Sequence, residues 1–369
     1  MDEMTAWWPT DDLGPDKVVF VRLPAGCHAV VVVDNVALGP AIGGVRMTPS
    51  VDAAEVARLA RAMTVKNAAA GLAHGGAKAG VTVPGELEDA VREQVVRAFA
   101  AAIENLVEYI PGPDMGTDET AMAWIRDEIG RAVGLPSVLG GIPLDELGAT
   151  GYGLAICAEA LDEAGVLTLD GARVAVQGFG AVGLHAALQL ARRGAVVVAV
   201  SDSRGATHDP SGLDVDAAVA FKRSGRSVAD FPGGSSLPRD DALAVECDVL
   251  VPAAQPDVIT KDNADKVRAT VVLQGANIPV TAEAEQLLHQ RGVLSFPDVI
   301  ANAGGVICAS VEYRGGDREA AFTAIRSKIS DSARELLGRV RSGVEEPRKA
   351  AERMAVDRVA AAQSYRRRF

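Results

Sequence analysis

The amino-acid sequence predicts an α/β protein with two domains, and three observations lead to that prediction. The chain has 369 residues, which is too long for one ordinary hydrophobic core. Hydrophobic residues make up 48% of the chain but aromatic residues only 4%, so alanine, valine and leucine must fill the cores, as happens where helices pack on parallel strands. From residue 172 onward, strand-like and helix-like segments alternate, which is typical of a doubly wound parallel sheet.

Charge and cysteine content exclude several classes of partner. A formal net charge of -12 argues against nucleic acid or an anionic membrane, because phosphate groups bind to basic surfaces. The cysteines are far apart and lack nearby histidines, which predicts free buried thiols rather than disulfides or a metal site. No segment has the length of a membrane span or the pattern of a signal peptide, so we expect a cytoplasmic protein. The four cysteines are Cys27, Cys157, Cys247 and Cys308.

The first domain is predicted to follow a polar arm, residues 1–16, that contains Trp7 and Trp8. Two β-rich runs, residues 18–23 and 28–38, flank a proline–alanine–glycine turn and therefore predict a β-hairpin. The next segment, GPAIGGVRM (39–47), is rich in glycine, which allows a backbone to approach a small ligand closely. An ordinary loop is the alternative interpretation.

Two lysines lie in surroundings that do not suit a charge. Lys66 recurs with Val56, Leu59 and Met63 at helical spacing, so it lies on or beside an apolar stripe. Lys78 follows a double glycine and enters a strand-like segment. The pKa of a lysine falls readily when the amine is desolvated or close to another cation, so both are candidate active-site residues. Alternatively, Lys66 extends from a helix edge and Lys78 is a solvated loop charge.

Asp114 is the third candidate in this domain. A long amphipathic helix is predicted over residues 86–107. It leads to PGPDMGT (111–117), in which prolines and glycines fix the position of the aspartate, and a second helix is predicted over residues 122–129. The alternative role for Asp114 is to cap that second helix.

A glycine-rich turn predicts a dinucleotide site in the second domain. A strand over residues 172–177 leads to GFGAVG (178–183), a helix to Arg193 and a second strand that ends at Asp202, nineteen residues past the last glycine. Such a turn admits a pyrophosphate at the helix N-terminus, and the acid can accept a hydrogen bond from a ribose hydroxyl. A glycine-rich βαβ unit without a ligand is the alternative. The candidate residues are Gly178, Phe179, Gly180, Ala181, Val182, Gly183, Asp202 and Ser203.

Further strands are predicted over residues 248–252, 270–273 and 293–296, and their carboxyl ends should line the cofactor crevice. Asp202 favours NAD, since it would repel a 2′-phosphate, although the adjacent Arg204 leaves NADP open. The predicted domains are residues 1–142, residues 143–325, and C-terminal helices over 326–369 that return to the first domain. Additional candidate cofactor residues are Thr150, as a helix cap, with Ala253, Ala254, Asn277 and Asn302.

Taken together, these motifs resemble the glutamate, leucine, phenylalanine and valine dehydrogenase family over about residues 17–360. The order and spacing of the motifs carry the resemblance. They are GPAIGGVR (39–46), MTVK (63–66), GGAKAG (75–80), PGPDMGT (111–117), ATGYG (149–153), GFGAVG (178–183), QGAN (274–277) and ANAGGV (301–306).

The resemblance implies reversible NAD(P)-linked oxidative deamination of an L-amino acid to a 2-oxo acid and ammonia. It also implies a homo-oligomer in which a substrate and oligomerisation domain and a Rossmann domain face each other across a cleft. By the family motifs, Lys66 would hold the substrate α-carboxylate, Lys78 would be the catalytic lysine, and Asp114 would move protons to and from the nitrogen. Gly43 and Gly44 would border the substrate.

The side-chain pocket points to a hydrophobic substrate. Glutamate-specific relatives carry a lysine and a serine where this chain has Ile42 and Ala309, so a γ-carboxylate would lose its partners at a cost of several kcal/mol. Gly112 and Val306 are expected to line the same pocket. We therefore expect leucine, valine, isoleucine or phenylalanine. Glutamate stays open because residues 201–214 and 252–260 look more like the glutamate branch, and a catalytically silent sensor or a structural assembly protein are further alternatives.

Overall fold

The structure, a computed structural model, describes residues 9–341 and 344–366. Trp7 and Trp8 lie outside these ranges. The chain forms two compact units. The first contains the residues up to Pro143, Ala309–Ala321 and the residues from Arg353 onward, and the second contains Leu144–Cys308 and Phe322–Glu352. Each unit is built on its own sheet, which confirms the predicted two-domain α/β class.

The first unit contains a five-stranded mixed sheet in the order β1-β2-β4-β3-β5. The β1–β2 and β2–β4 pairs are antiparallel, which confirms the predicted hairpin, while β3 runs parallel to both β4 and β5. The strands are β1 (Lys17–Arg22), β2 (His28–Asn35), β3 (Ala41–Thr48), β4 (Gly76–Thr82) and β5 (Tyr109–Pro113).

Helices cover both faces of this sheet, and residues of β2 show how. Val31 and Val33 belong to a core that includes residues of α2 (Asp89–Ala102) and α3 (Glu119–Ile129), whereas Val30 and Val32 pack with residues of α1 (Ala53–Ala69). The alternation follows from the two-residue period of a strand. Helix α2 is shorter than the predicted 86–107 segment, because its hydrogen-bonded turns begin only at Asp89 and end at Ala102.

The second unit contains a seven-stranded sheet in the order β12-β11-β10-β6-β7-β8-β9. The five strands from β12 to β7 are parallel, as the alternating pattern predicted. The antiparallel strands β8 and β9 extend the sheet beyond β7 and were not predicted. The strands are β6 (Arg173–Gln177), β7 (Val196–Ser201), β8 (Ala206–His208), β9 (Ser235–Leu237), β10 (Val249–Pro252), β11 (Val271–Leu273) and β12 (Leu294–Phe296).

Nine further α-helices lie in the described chain besides four short 3₁₀ helices, and the last three α-helices contribute residues to both units. None of the helices in the described ranges is both long and apolar enough to cross a membrane. All four cysteines are buried, and none of them forms a disulfide within the described residues, as predicted. The helices are α4 (Leu144–Leu147), α5 (Ala149–Glu163), α6 (Ala181–Ala191), α7 (Val215–Arg223), α8 (Ala282–Gln290), α9 (Asp298–Ala301), α10 (Gly304–Tyr313), α11 (Arg318–Val340) and α12 (Pro347–Gln363).

Candidate active site

Lys78 and Asp114 form an ion pair on the face of the first sheet that carries Gly44. Lys78 lies in the middle of β4, and Asp114 directly follows β5. The Lys78 Nζ atom is 3.1 Å from Asp114 Oδ2. A Cβ atom on Gly44 of β3 would come within 2.8 Å of the Asp114 Cβ and 3.1 Å of Lys78 Nζ. Glycine at this position is therefore what allows the two side chains to meet above the strand.

Arg46 is a third member of this site, and no role was predicted for it. Its Nε donates a hydrogen bond of 2.7 Å to Asp114 Oδ2, the same oxygen that faces Lys78. Its Nη1 donates to Glu55 of α1. The position of Arg46 two residues after Gly44 was the available signal, because residues two apart share a face of a strand.

The structure excludes the alternative in which Asp114 caps the following helix. The N-cap of α3 is Asp118, whose side chain accepts a hydrogen bond from the Ala121 amide. The turn after β5 instead holds Asp114 near β3, because the Thr117 hydroxyl accepts from the Asp114 amide at 3.0 Å and donates to the Val45 carbonyl at 2.8 Å. The carboxylate of Asp114 is thereby available to Lys78 rather than to a helix terminus.

The protonation of this pair is set by opposing effects. Burial lowers the pKa of Lys78 from its ordinary value, and the charge of Arg46 lowers it further, while Asp114 acts in the opposite direction. For Asp114, burial favours the protonated form, but the charges and hydrogen bonds of Lys78 and Arg46 outweigh burial and lower the pKa. Only 7% of the Lys78 side chain is exposed. The lysine is therefore a better base at neutral pH than an exposed lysine.

An apolar cluster occupies the amino-terminal end of the same sheet face. Ile42 of β3, Ile110 of β5 and Val133 are at most 3% exposed, and the half-buried Ala309 packs against them. A Cβ on Gly112 would be 3.2 Å from Val133 Cγ2, so Gly112 borders the cluster. Ile42 and Ala309 are thus brought together as predicted, while Val133 follows no motif in the sequence.

Helix α10 carries two of the predicted pocket residues. Val306 is half-buried and precedes Ala309 by about one helical turn. One turn further on, Glu312 accepts hydrogen bonds from the Leu135 amide at 3.1 Å and the Ile142 amide at 2.9 Å. These bonds attach the C-terminal half of α10 to the loop after α3 and so fix the position of Ala309. No role was predicted for Glu312.

Lys66 lies half-buried in the last turn of α1. Lys66 lies beside the buried stripe, as predicted, and Val56 belongs to that stripe, but Leu59 and Met63 do not. Leu59 and Met63 are only half-buried, because the helix is rotated so that a neighbouring set of side chains meets the sheet. That set is Val56, Ala60, Thr64 and Asn67.

The glycine motifs around β3 and β4 allow close backbone packing. Asn67 of α1 donates to the Gly75 carbonyl at 2.7 Å, which attaches the end of the helix to the start of β4. A Cβ on Gly43 would lie 1.7 Å from the Ala77 carbonyl oxygen, and a Cβ on Gly76 would lie 2.0 Å from the Thr64 amide. Larger residues at these positions would force α1, β3 and β4 apart.

The glycine turn of the second unit has the form that a dinucleotide requires. Gly178 has a φ of +96°, and a Cβ on Gly183 would lie 1.9 Å from the Gly178 carbonyl oxygen. Nothing lies within 4 Å of a Cβ position on Gly180, which is the N-cap of α6 and leaves the first amides without a side-chain partner. Ala181 and Val182 open α6. The open end of this helix can receive a phosphate.

Neighbouring strand ends meet at this turn. A Cβ on Gly178 would contact Ala254 at 2.6 Å, and Ala253 donates to the Gln177 carbonyl at 2.7 Å. The Phe179 side chain is 1% exposed and its amide donates to the Ser201 carbonyl. Phe179 therefore contributes to the core, and its amide is already engaged.

Two asparagines form a second group of polar atoms at the strand ends. The Asn302 amide group donates to the Asn277 side-chain oxygen at 3.1 Å and to the Ala276 carbonyl at 3.0 Å. The buried Oδ1 of Asn302 and Oε1 of Gln177 have no hydrogen-bond partner within the described residues. Buried acceptors normally have a donor, so these atoms fit a site that a donor-bearing ligand completes.

Thr150 does not cap α5 as predicted. The N-cap of that helix is Gly148, in a left-handed conformation, so Thr150 lies in the first turn instead. A Cβ on Gly305 would be 3.9 Å from the Thr150 hydroxyl, and a Cβ on Gly304 would be 2.2 Å from the Ala149 carbonyl oxygen. The ATGYG and ANAGGV motifs are thus adjacent within the second unit.

Asp202 lies at the end of β7, as expected, but its carboxylate is already engaged. Lys222 Nζ at 2.6 Å and the Val228 amide at 3.0 Å donate to Oδ2. The Ser227 hydroxyl at 2.7 Å and the Arg204 amide at 2.9 Å donate to Oδ1. Burial opposes ionisation, but these donors, Lys222 foremost, hold the pKa of Asp202 far below its ordinary value. Ser203, beside it, is exposed.

Comparisons with known proteins agree with the fold described above. Residues 140–367 match the model of the Glutamate/Leucine/Phenylalanine/Valine dehydrogenase family, and residues 15–131 match its dimerisation domain. A glutamate dehydrogenase of Aeropyrum pernix is 43% identical over 292 residues, which cover 76% of this chain and 70% of that protein. An NADP-specific glutamate dehydrogenase of Saccharolobus shibatae is 39% identical over 292 residues, which cover 76% and 69%.

A solved structure is similar along nearly the whole chain. It is the hetero-hexameric glutamate dehydrogenase of Thermus thermophilus in a leucine-bound form, which has 32% sequence identity and a TM-score of 0.82 over 96% of this chain and 91% of that chain. The fold and the family models therefore agree. The chain belongs to the Glu/Leu/Phe/Val dehydrogenase family of amino acid dehydrogenases.

Proposed function

We propose that this chain catalyses the reversible oxidative deamination of an L-amino acid with NAD or NADP. The observation that carries the proposal is the buried Lys78–Asp114 ion pair, with 3.1 Å between Nζ and Oδ2, in a chain that also carries the glycine turn at Gly178–Gly183. Family membership supports the same reaction class.

The bound nicotinamide would supply the hydride acceptor for the substrate Cα–H bond. Loss of hydride leaves an iminium on the substrate, which water must attack. The neutral Lys78 amine takes a proton from that water, and the lowered pKa of Lys78 makes this step accessible near neutral pH. The ionised Asp114 then accepts that proton from the Lys78 ammonium across the 3.1 Å contact and passes it to the substrate nitrogen. Lys78, neutral again, takes the proton of the new hydroxyl as the C–N bond breaks, so that the 2-oxo acid forms and ammonia leaves. Arg46 keeps the Asp114 carboxylate oriented through the 2.7 Å hydrogen bond.

We assign to Lys66 the role of holding the substrate α-carboxylate, as the family motif implies. Its support in the structure is its half-buried position in the last turn of α1. A half-buried ammonium offers a stronger attraction to a carboxylate than an exposed one, because solvent screens it less.

Relatives favour glutamate as the amino acid. Two curated relatives, at 43% and 39% identity, are both named glutamate dehydrogenases, and these names support glutamate better than the hydrophobic substrate predicted from the pocket residues. Glutamate is therefore the first substrate to test.

The apolar cluster favours a hydrophobic amino acid instead. A γ-carboxylate placed against Ile42 and Ala309 would be desolvated, at a cost of several kcal/mol without a partner. An aliphatic side chain would gain ~0.8 kcal/mol per buried methylene. The leucine bound to the Thermus thermophilus relative supports the same class of ligand, either as substrate or as the ligand of a sensor without turnover.

A single assay separates these possibilities. NADH and NADPH oxidation should be followed with ammonia and, in turn, 2-oxoglutarate, 4-methyl-2-oxopentanoate, 3-methyl-2-oxobutyrate and phenylpyruvate. Turnover with any of them supports the proposed reaction, and the ranking identifies the side chain. Dinucleotide binding without turnover on any oxo acid would contradict the proposed catalysis and favour the sensor.

We further propose that the chain works as an oligomer. The match of residues 15–131 to a dimerisation domain and the hexameric assembly of the Thermus thermophilus relative support an assembly. Light scattering of the purified chain tests this, and a monomer mass at working concentration would contradict it.

A further inference from the structure

Asp202 occupies the position at which a dinucleotide-binding domain normally contacts the ribose, but its carboxylate is already hydrogen-bonded within the protein. Asp202 ends β7, where an acid usually accepts a hydrogen bond from the 2′-hydroxyl of NAD. A carboxylate offers about four lone-pair sites, and here four donors occupy them at 2.6 to 3.0 Å. A ribose hydroxyl would have to displace one of these donors.

Lys222 also removes the repulsion that Asp202 would otherwise exert. Its Nζ, on α7, lies 2.6 Å from Asp202 Oδ2, and only 6% of the Asp202 side chain is exposed. Opposite charges at this distance largely cancel at the range of a bound phosphate. Two exposed residues, Ser203 and Arg204, adjoin the neutralised acid. A hydroxyl and a guanidinium are groups that bind phosphate.

We propose that Lys222 determines cofactor choice by occupying Asp202, so that the chain accepts NADPH as well as NADH. Asp202 then acts as a structural link between the β7–β8 turn and the segment after α7, rather than as a ribose ligand. This inference rests on the proposed dinucleotide site and revises the expectation that the acid selects NAD.

The test compares dissociation constants for NADH and NADPH, measured by nucleotide fluorescence without substrate. We expect the wild-type constants to lie within about tenfold of each other. Lys222→Met leaves the Asp202 carboxylate without its neutralising charge, so the affinity for NADPH should fall by about tenfold or more relative to the affinity for NADH. Lys222→Arg, which keeps the charge, should retain a ratio close to wild type.

Asp202→Asn provides an independent variant should Lys222→Met fold poorly. Because the charge is already neutralised, this change should move the NADH constant by less than about threefold. A loss of tenfold or more in NADH affinity would show that the carboxylate holds the ribose, and would overturn the inference. An unchanged NADPH to NADH ratio in folded Lys222→Met would overturn it equally. Failure of the wild type to bind either nucleotide would instead contradict the proposed function itself.

Discussion

Each unit contains an ion pair between a lysine and an aspartate, but the more buried partner is the lysine in one pair and the aspartate in the other. In the first unit the lysine is the more buried partner, with 7% of the Lys78 side chain exposed against 22% for Asp114. In the second unit the aspartate is the more buried, with 6% of Asp202 exposed against 30% for Lys222. Burial of the Lys78 amine makes its proton easier to lose. The buried Asp202 carboxylate stays ionised because its four hydrogen-bond donors outweigh the effect of burial.

The surrounding donors explain why we assign a catalytic role to the first pair and not to the second. Asp114 shares one oxygen between Arg46 and Lys78, so a proton can pass between groups that remain partly accessible. Asp202 is fixed by four donors from three segments. On the proposed function, the same two residue types thus give a catalytic pair in one place and a structural link in the other.

Removal of Lys78 should give the largest effect on activity. Lys78→Ala deletes the proposed base, so turnover should fall by at least about 10³-fold while dinucleotide binding stays unchanged. Steady-state kinetics and nucleotide fluorescence provide the two measurements. Lys17→Ala, which removes a lysine of β1 with 54% side-chain exposure, is the matched control and should stay within about twofold of wild type. A comparable loss of turnover in both variants would contradict a specific role for Lys78.

Removal of Asp202 should reduce stability rather than chemistry. Asp202→Ala leaves Lys222, the Ser227 hydroxyl and two amides without their acceptor, which should lower the free energy of unfolding by about 2–4 kcal/mol. Urea denaturation measures this. The control is Asp214→Ala, which removes the N-cap of α7 and should cost only about 1 kcal/mol. Equal losses would mean that the four-donor network adds nothing beyond a single cap.

The pH dependence of unfolding provides a further check on Asp202. Because its pKa is lowered in the folded protein, its contribution is present above the unfolded-state pKa of about 3.9 and is lost as the pH falls below it. Wild-type stability should therefore fall more steeply with acid than that of Asp202→Asn. Parallel curves would contradict the assignment.

Removal of Arg46 should produce a smaller effect that depends on pH. Its charge lowers the pKa of both Lys78 and Asp114, so Arg46→Met should raise both values and move the rise of the deamination rate to higher pH. At neutral pH we expect the deamination rate to fall by about tenfold. Arg46→Lys should restore part of the profile, and a uniform loss at every pH would indicate a purely structural role.

Local elements could be predicted from the sequence, whereas contacts between distant parts of the chain could not. The turn at Gly178–Gly183 and the β1–β2 hairpin are each formed by residues that are close together in the chain, so the sequence pattern predicts them. Three of the four donors to Asp202 come from 20 to 26 residues away, and Val133 meets Ile42 only through tertiary packing. Thr150 was misplaced because Gly148 begins the helix in a left-handed conformation, which a side-chain capping pattern does not signal.

Burial beside Arg46 should give Lys78 an amine that deprotonates more easily than that of an exposed lysine. Competitive acetylation across a pH series, with Lys78 followed by peptide mass spectrometry, measures this directly in the folded protein. We expect the reactivity of Lys78 to reach its plateau at a pH below that of an ordinary lysine, whose pKa is 10.5. A titration of Lys78 at or above that value would contradict it.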